Sequence, residues 1–253
     1  MTSDATRTGP VARGAEDDRK GRVGPAGLEE LVRGARAVLW DFDGSVCRLF
    51  AGRAARRAAA DLVEWLEDRG LHGLLTESER GAPHPHAVLR AVARGHPGGD
   101  LVAELEERVT RQEMPAASSA WPTPYADPLI RTWTAAGARL AIASDTSPRV
   151  IRAYLATRGL VDCFAPRIHG RTRDLGQLKP DPGSLHRALS ATGVAASRAL
   201  MIGNMPADHE AALRAGVPFL GYAPSPAQGE ALRDSGAGTV LDSLEPLLRL
   251  LRR

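Results

Sequence analysis

Ala37-Val38-Leu39-Trp40-Asp41-Phe42-Asp43-Gly44-Ser45 is the stretch on which the reading of this chain turns. Its four leading apolar residues have the composition of a strand buried on both faces of a parallel sheet. In extended chain, residues two apart share a face, so Asp41 and Asp43 leave the strand on one side and Phe42 on the other. Gly44 lets the backbone turn immediately afterwards. Two carboxylates at the C-terminal end of a strand lie where open α/β sheets hold their ligands. Held this close they repel each other and want a divalent cation or a shared proton; hard oxygen ligands of this kind suit Mg²⁺. Taken alone, the stretch is equally a polar turn after a strand, since Asp-Gly is a common turn pair. The rest of the chain has to supply partners for the carboxylates.

Working outward, residues 54–68 have helical spacing, with Leu62, Val63, Trp65 and Leu66 as an apolar stripe and Gly70 as a C-cap. Residues 86–93 and 100–112 read as two further helices, and 115–124 as a Pro/Ala/Ser linker. Beyond Asp127 the rhythm alternates. Helices are expected at 129–136, 148–158, 182–192, 207–215, 228–235 and at the C-terminus. Strands are expected at 139–143, 165–169, 199–202, 218–222 and 239–241. Such alternation argues a parallel sheet with crossover helices. The expected architecture is an α/β, Rossmann-like three-layer core, formed by 27–50 and 125–253. An all-helical insertion, 51–124, interrupts it, and a disordered tail, 1–25, precedes it.

Composition narrows the function. Apolar residues make up 43% and charged residues 25% of 253, an ordinary globular balance. Basic and acidic residues number 33 and 30, a net charge of +3, and they are interspersed. No basic run with interleaved aromatics points to nucleic acid. No segment has the apolar length of a membrane span and the N-terminus has no apolar signal core, so the expected location is cytoplasmic. Cys47 and Cys163 make neither a disulfide framework nor a metal cluster. Only Lys20 and Lys179 are lysines, which makes Lys179 conspicuous.

Three polar sites fall where the strands end. Ser144 follows the strand 139–143 and has a hydroxyl suited to a phosphate oxygen. Lys179, in Gln177-Leu178-Lys179-Pro180-Asp181-Pro182, precedes a helix and is a point charge suited to a phosphoryl group. Met201-Ile202-Gly203-Asn204-Met205-Pro206-Ala207-Asp208 ends another strand with two ligand-type residues. In this order and on this alternation, the chain resembles the haloacid dehalogenase superfamily of Mg²⁺-dependent phosphohydrolases, the phosphoglycolate phosphatase and β-phosphoglucomutase-like subgroup in particular. The insertion after the first motif resembles that superfamily's C1 cap.

The resemblance implies a role for each position. Asp41 is the nucleophile that becomes an aspartyl phosphate. Asp43 is the general acid and then the base, and its backbone carbonyl is also a metal ligand. Ser144 and Lys179 hold the phosphoryl oxygens, with Asp145 beside them at the substrate. Asp41, Asp43, Asn204 and Asp208 form the metal set for Mg²⁺. The implied substrate is a small phosphorylated metabolite. An aspartate at 43 favours a phosphatase or phosphomutase over a dehalogenase. Two positions depart from the pattern: Asn204 replaces a usual carboxylate, and Asp145 replaces a usual Asn. They leave open a protein that binds a phosphorylated ligand or partner with weakened or no catalysis.

Weaker candidates lie outside these motifs. His84 and His86 suggest a metal pair but are expected to face solvent in a Gly/Pro-rich loop. His209 is expected to point away from the metal. Cys47, Arg48, Phe50 and Arg53 are candidates for the pocket wall, and Trp40, Trp121 and Trp133 for packing. Neither the identity of the substrate nor the oligomeric state is legible.

Overall fold

β1 (Ala37–Trp40) lies at the centre of the sheet because both of its faces are apolar. Val38 and Trp40 enter one buried cluster and Ala37 and Leu39 another. This is the period-two alternation of a strand covered on both sides. The structure is a computed structural model that describes residues 25–50, 53–95 and 99–252. Around β1 the chain forms α1 (Pro25–Gly34), β2 (Cys47–Arg48), α2 (Arg53–Glu67), α3 (Glu77–Arg80), α4 (Pro85–Gly95), α5 (Asp100–Ser119) and β3 (Trp121–Pro122). There follow α6 (Ala126–Ala135), β4 (Arg139–Ala143), α7 (Pro148–Thr157), α8 (Val161–Phe164), β5 (Ile168–His169) and α9 (Gly183–Thr192). The chain closes with β6 (Ala199–Gly203), α10 (Pro206–Arg214), β7 (Phe219–Tyr222), α11 (Pro226–Asp234), β8 (Val240–Leu241) and α12 (Glu245–Leu251).

Six parallel strands run in the order β5-β4-β1-β6-β7-β8. The sheet grows from β1 to β4 on one side and to β6 on the other, so β1 stands at the switch point where such sheets bind ligands. Trp40 is in register with Ile142 and with Ile202. Three strand ends are therefore level, and Asp41, Ser144 and Asn204 emerge at one edge. Helices α1, α6, α7 and α12 close one face, and α9 and α10 the other. On the first face Trp40 and Trp133 meet edge to face, ring centroids 5.9 Å apart, each burying a large apolar area. The expected three-layer α/β core is what the chain forms.

The helical insert α2–α5 leaves and re-enters the core through an antiparallel pair in which Arg48 lies opposite Trp121. Leu62, Leu66, Leu89 and Leu105 build its own apolar cluster, which also takes in Leu175 and Leu178 from the core.

Several details differ from the sequence reading. The expected linker 115–124 is largely helix, since α5 continues through Pro115 to Ser119. Proline removes one hydrogen bond there, but Met114, Ala116 and Ala117 on either side pack on the main core cluster, and this burial outweighs the local loss. The strand expected at 165–169 is only Ile168–His169, because the segment before it is taken up by α8 and Pro166. The short helix α3 was not expected, although Thr76-Glu77-Ser78-Glu79 carries a capping box that the structure forms. Trp121 does not pack; it is 77% exposed. The expected tail, 1–25, lies outside the described residues except for Pro25, where α1 begins. Among the described residues no helix is long and apolar enough to cross a membrane.

Candidate active site

A cavity of about 600 Å³ opens at the C-terminal edge of the sheet, between the core and the helical insert. Asp41, Asp43, Ser144, Asp145, Lys179, Asn204 and Asp208 all line it. All seven residues singled out in the sequence therefore meet in one place. They arrive from four connections: Asp41 and Asp43 after β1, Ser144 and Asp145 after β4, Lys179 before α9, and, after β6, Asn204 with Asp208 in the first turn of α10.

Lys179 is buried and its Nζ donates to Asp41 Oδ1 at 2.6 Å, to the Ala143 carbonyl at 3.2 Å and to Asp208 Oδ1. Burial alone would lower the affinity of this ammonium for its proton. The Asp208 and Asp41 carboxylates more than reverse that and hold Lys179 well above the ordinary lysine range. Burial pushes the Asp41 carboxyl up to about 7, against the pull of Lys179 and helped by the charge of Asp208.

Asp208 has no free oxygen. Its Oδ1 is on Lys179 and its Oδ2 accepts from the backbone N–H groups of Asn204 and Met205, each at 3.0 Å. A carboxylate at this place also suits the positive end of α10. Asp208 thus fixes the Asn204 loop and the lysine. A Cβ on Gly203 would stand 2.5 Å from the Asp208 Cβ, so only glycine permits this approach.

The Asn204 amide lies 3.1 Å from the Asp43 carbonyl and 3.2 Å from Asp41 Oδ2. With its nitrogen turned toward them it donates to both. With its oxygen turned the same way, three oxygens would face one point and repel unless a cation lay between them. Gly44 makes room for this arrangement: its φ is +97°, and a Cβ there would stand 2.1 Å from the amide. The donor set of carboxylate, backbone carbonyl and amide oxygen fits a hard cation such as Mg²⁺. Among the described residues no group of three or more His, Cys, Asp or Glu side chains is placed to hold a metal. The candidate centre therefore depends on Asn204 and a main-chain oxygen.

Asp43 Oδ1 accepts from the N–H groups of Leu49 at 2.8 Å and Phe50 at 3.3 Å, while Oδ2 faces His84 Nε2 at 3.4 Å. One oxygen positions the side chain and the other is turned to the cavity. The Ser144 hydroxyl accepts from the Thr146 N–H at 3.3 Å, leaving its own hydrogen for a ligand. Asp145 is buried, and burial raises its pKa against the pull of Lys179 and Arg90. Its Oδ1 accepts from the Lys179 N–H at 3.0 Å and its Oδ2 from Arg90 on α4 at 3.4 Å.

Sequence reasoning missed part of this site. His84 lines the cavity instead of facing solvent, and His86 is buried against Glu113 on α5, 3.0 Å away. Arg90 and Thr146 also line the cavity. Thr146 had a signal, as the third polar residue in a row after β4; Arg90 had none, being one arginine among many. Of the weaker candidates, Arg48 and Phe50 reach the cavity. Cys47 is buried in the core, where burial pushes its thiol up. His209 instead packs on Phe219, ring centroids 5.2 Å apart.

Behind the cavity, Arg171 joins the insert to the core with no exposed side-chain surface. It donates to Glu113 Oε1 and Oε2 at 2.9 and 3.0 Å, to Thr110 at 2.8 Å and to the Asp145 carbonyl at 2.8 Å. Glu113 also accepts from the Ser147 N–H at the start of α7, at 3.3 Å.

Known proteins with similar sequences carry one activity in their names. Phosphoglycolate phosphatase from Rhodospirillum rubrum is 36% identical over 115 residues, 44% of this chain and 46% of that protein. The chain thus spans less than half the length of that relative. Phosphoglycolate phosphatase from Pseudomonas savastanoi pv. phaseolicola is 29% identical over 232 residues, 88% of this chain and 83% of that protein. Among solved structures, CbbY from Rhodobacter sphaeroides in complex with phosphate is similar with a TM-score of 0.62 at 23% identity, covering 87% of this chain and 100% of that one. A HAD-superfamily hydrolase of subfamily IA from Geobacter sulfurreducens gives 0.52 at 21%, covering 86% and 97%. These two likenesses establish the fold. The family profile of haloacid dehalogenase-like hydrolases matches residues 35–216, a span that includes all seven of these site residues, and the chain belongs to that family of enzymes.

Proposed function

We propose that this hydrolase removes the phosphoryl group from a small phosphomonoester, with Mg²⁺ as its cofactor. The observation that carries the reading is the Lys179 ammonium shared between Asp41 and Asp208, 2.6 Å from Asp41 Oδ1. A buried cation beside a carboxylate that faces a polar cavity suits a nucleophile whose substrate is an anion. The relatives named phosphoglycolate phosphatase support the same reaction class.

Asp41 attacks phosphorus, the P–O bond to the alcohol breaks, and Asp43 Oδ2 gives its proton to the departing oxygen. Asp43 then takes a proton from water, the hydroxide attacks phosphorus, and the Asp41 carboxylate is released with inorganic phosphate. Ser144 and Lys179 hold the phosphoryl oxygens throughout. Mg²⁺, held by Asp41, the Asp43 carbonyl and Asn204, supplies charge neutralisation when bound. Phosphomonoester hydrolysis is among the slowest uncatalysed reactions, so all of these contributions are needed. Closing the insert over the cavity excludes bulk water and favours small substrates.

Phosphate release from a panel of phosphorylated metabolites with Mg²⁺ tests this, using Asp41→Asn as the control. Turnover that persists in Asp41→Asn would remove Asp41 as nucleophile. One feature favours a second reading, a protein that binds a phosphorylated ligand without turnover: Asn204 brings no charge to the metal. In that case phosphorylated ligands raise the melting temperature while no phosphate is released.

A further inference from the structure

Asp145 puts a negative charge into a cavity meant for anions, and its contacts say how that charge is used. Its two oxygens have separate tasks. Oδ1 is held by the Lys179 N–H at 3.0 Å, and the carbonyl of the same residue by Arg171 at 2.8 Å, so Asp145 is fixed to the core from two sides. Oδ2 meets Arg90 of the insert at 3.4 Å. That is long for a charge-assisted pair, whose optimum is about 2.7–2.9 Å. The Arg90 side chain is 33% exposed, whereas the neighbouring Arg171, with no exposed surface, has bonds of 2.8 to 3.3 Å. Of the two arginines joining insert and core at this edge, one is fully engaged. The other is loosely held, lines the cavity and is open to solvent.

We propose that Asp145 is an internal competitor for Arg90, so that Arg90 passes from the Asp145 carboxylate to a second anionic group on the substrate and thereby determines specificity. This rests on the phosphatase reading and goes further: the preferred substrate is a phosphomonoester with an additional carboxylate or phosphate. A substrate without that group gains nothing from Arg90 and still meets the Asp145 charge. A substrate with it must outcompete one carboxylate for one guanidinium. Asp145 stays in place during the exchange because Lys179 and Arg171 hold it.

Three substrates test the exchange: 4-nitrophenyl phosphate, with no second anion; 2-phosphoglycolate, with a carboxylate; and ethylene glycol bisphosphate, with a phosphate. KM and kcat are measured for the unmodified protein, Asp145→Asn, Arg90→Gln and the double variant. Asp145→Asn retains an acceptor for the Lys179 N–H and removes only the charge. It should lower KM for an anion-bearing substrate at least threefold more than for 4-nitrophenyl phosphate. Arg90→Gln should cost that substrate at least tenfold in kcat/KM relative to 4-nitrophenyl phosphate, mostly in KM. In the double variant the selective benefit of Asp145→Asn should vanish, as coupled residues require. Which of the two anion-bearing substrates responds identifies the second group. If Asp145→Asn lowers KM equally for all three, or its selective effect survives Arg90→Gln, Asp145 acts by general repulsion and the exchange is wrong. If the unmodified protein releases phosphate from none of the three, the phosphatase reading and this inference fall together.

Discussion

Lys179 Nζ stands 2.6 Å from Asp41 Oδ1, although 138 positions separate the two residues along the chain. The same ammonium also bonds Asp208, so one cation serves two buried carboxylates. Lys179→Met should leave Asp41 and Asp208 uncompensated. Phosphate release should fall by about 10²-fold or more. Removing one partner of a buried charge group should also destabilise the fold by about 3–5 kcal/mol. Lys179→Arg should not restore activity, because a planar guanidinium cannot replace a compact ammonium between these oxygens. Product assays and urea midpoints on the same preparations check both effects; normal turnover in either variant would remove the lysine from the chemistry.

A second expectation concerns Asn204. Its amide donates to Asp41 Oδ2 and the Asp43 carbonyl. Asn204→Asp turns that donor into a third oxygen, which repels the other two unless a cation is bound. The variant should melt at a lower temperature than the parent without Mg²⁺ and gain more from added Mg²⁺. Its activity should reach half-maximum at a lower Mg²⁺ concentration. Melting curves across a Mg²⁺ titration decide this without reference to turnover. An unchanged dependence would place residue 204 outside the metal shell.

Glu113 and Arg171 form a third test. Both side chains have no exposed surface, so Glu113→Gln should cost about 3–5 kcal/mol by leaving Arg171 underpaired. Replacing both with methionine should recover only part of that. The Asp145 carbonyl and the Ser147 N–H, which this pair satisfies, would then be left without partners. Denaturant midpoints of the single and double variants give the comparison.

His86 and Glu113 also predict an acid limb. Burial pushes the His86 imidazole from its usual 6.5 down to about 3, only partly opposed by Glu113. For Glu113, burial pushes upward, but Arg171 and His86 outweigh it and leave the carboxyl at about 2. From pH 6.5 down to about 3 the unfolded chain carries a His86 proton that the fold does not. From about 4.5 down to about 2 the same holds for Glu113. Each proton makes stability fall with falling pH, by up to about 1.4 kcal/mol per pH unit. The loss from these two groups should begin below pH 6.5 and be steepest between pH 4.5 and 3, where their ranges overlap. Asp41, which the fold raises to about 7, works the other way between pH 7 and 3.8, so the His86 part is read as a difference. The stability of the parent relative to His86→Gln should fall between pH 6.5 and 4.5. Urea midpoints of both proteins at pH 7, 5.5 and 4.5 would show a constant difference if His86 is not responsible.

The core and its edge were legible because each motif there is local. An apolar run followed by Asp41 and Asp43, a lone lysine before a helix, and a glycine followed by Asn204 each announce themselves within a few residues. The strand register then brings them together. What stayed hidden depends on pairings across the chain. His86 reads as a loop histidine until Glu113 and Arg171 are placed against it, 27 and 85 residues away. Pro115 reads as a helix stop, because nothing local shows that Met114 and Ala117 pack on the core. Arg90 is invisible in a chain whose basic residues are nearly all arginine. Asp145 was legible as a departure from pattern, but its partner was not.

Leu175 and Leu178 belong to the core by sequence, yet they are packed in the apolar cluster of α2, α4 and α5. Leu178 is the residue immediately before Lys179. The lysine's loop is therefore seated partly on the insert, and the insert is not an exchangeable cassette. A chimera carrying a relative's insert on this core would change the surface under Leu175 and Leu178 as well as the roof of the cavity. Its lysine could be displaced even when every catalytic side chain is kept. Grafting for new specificity in this scaffold would have to carry residues 175–178 along with the helices.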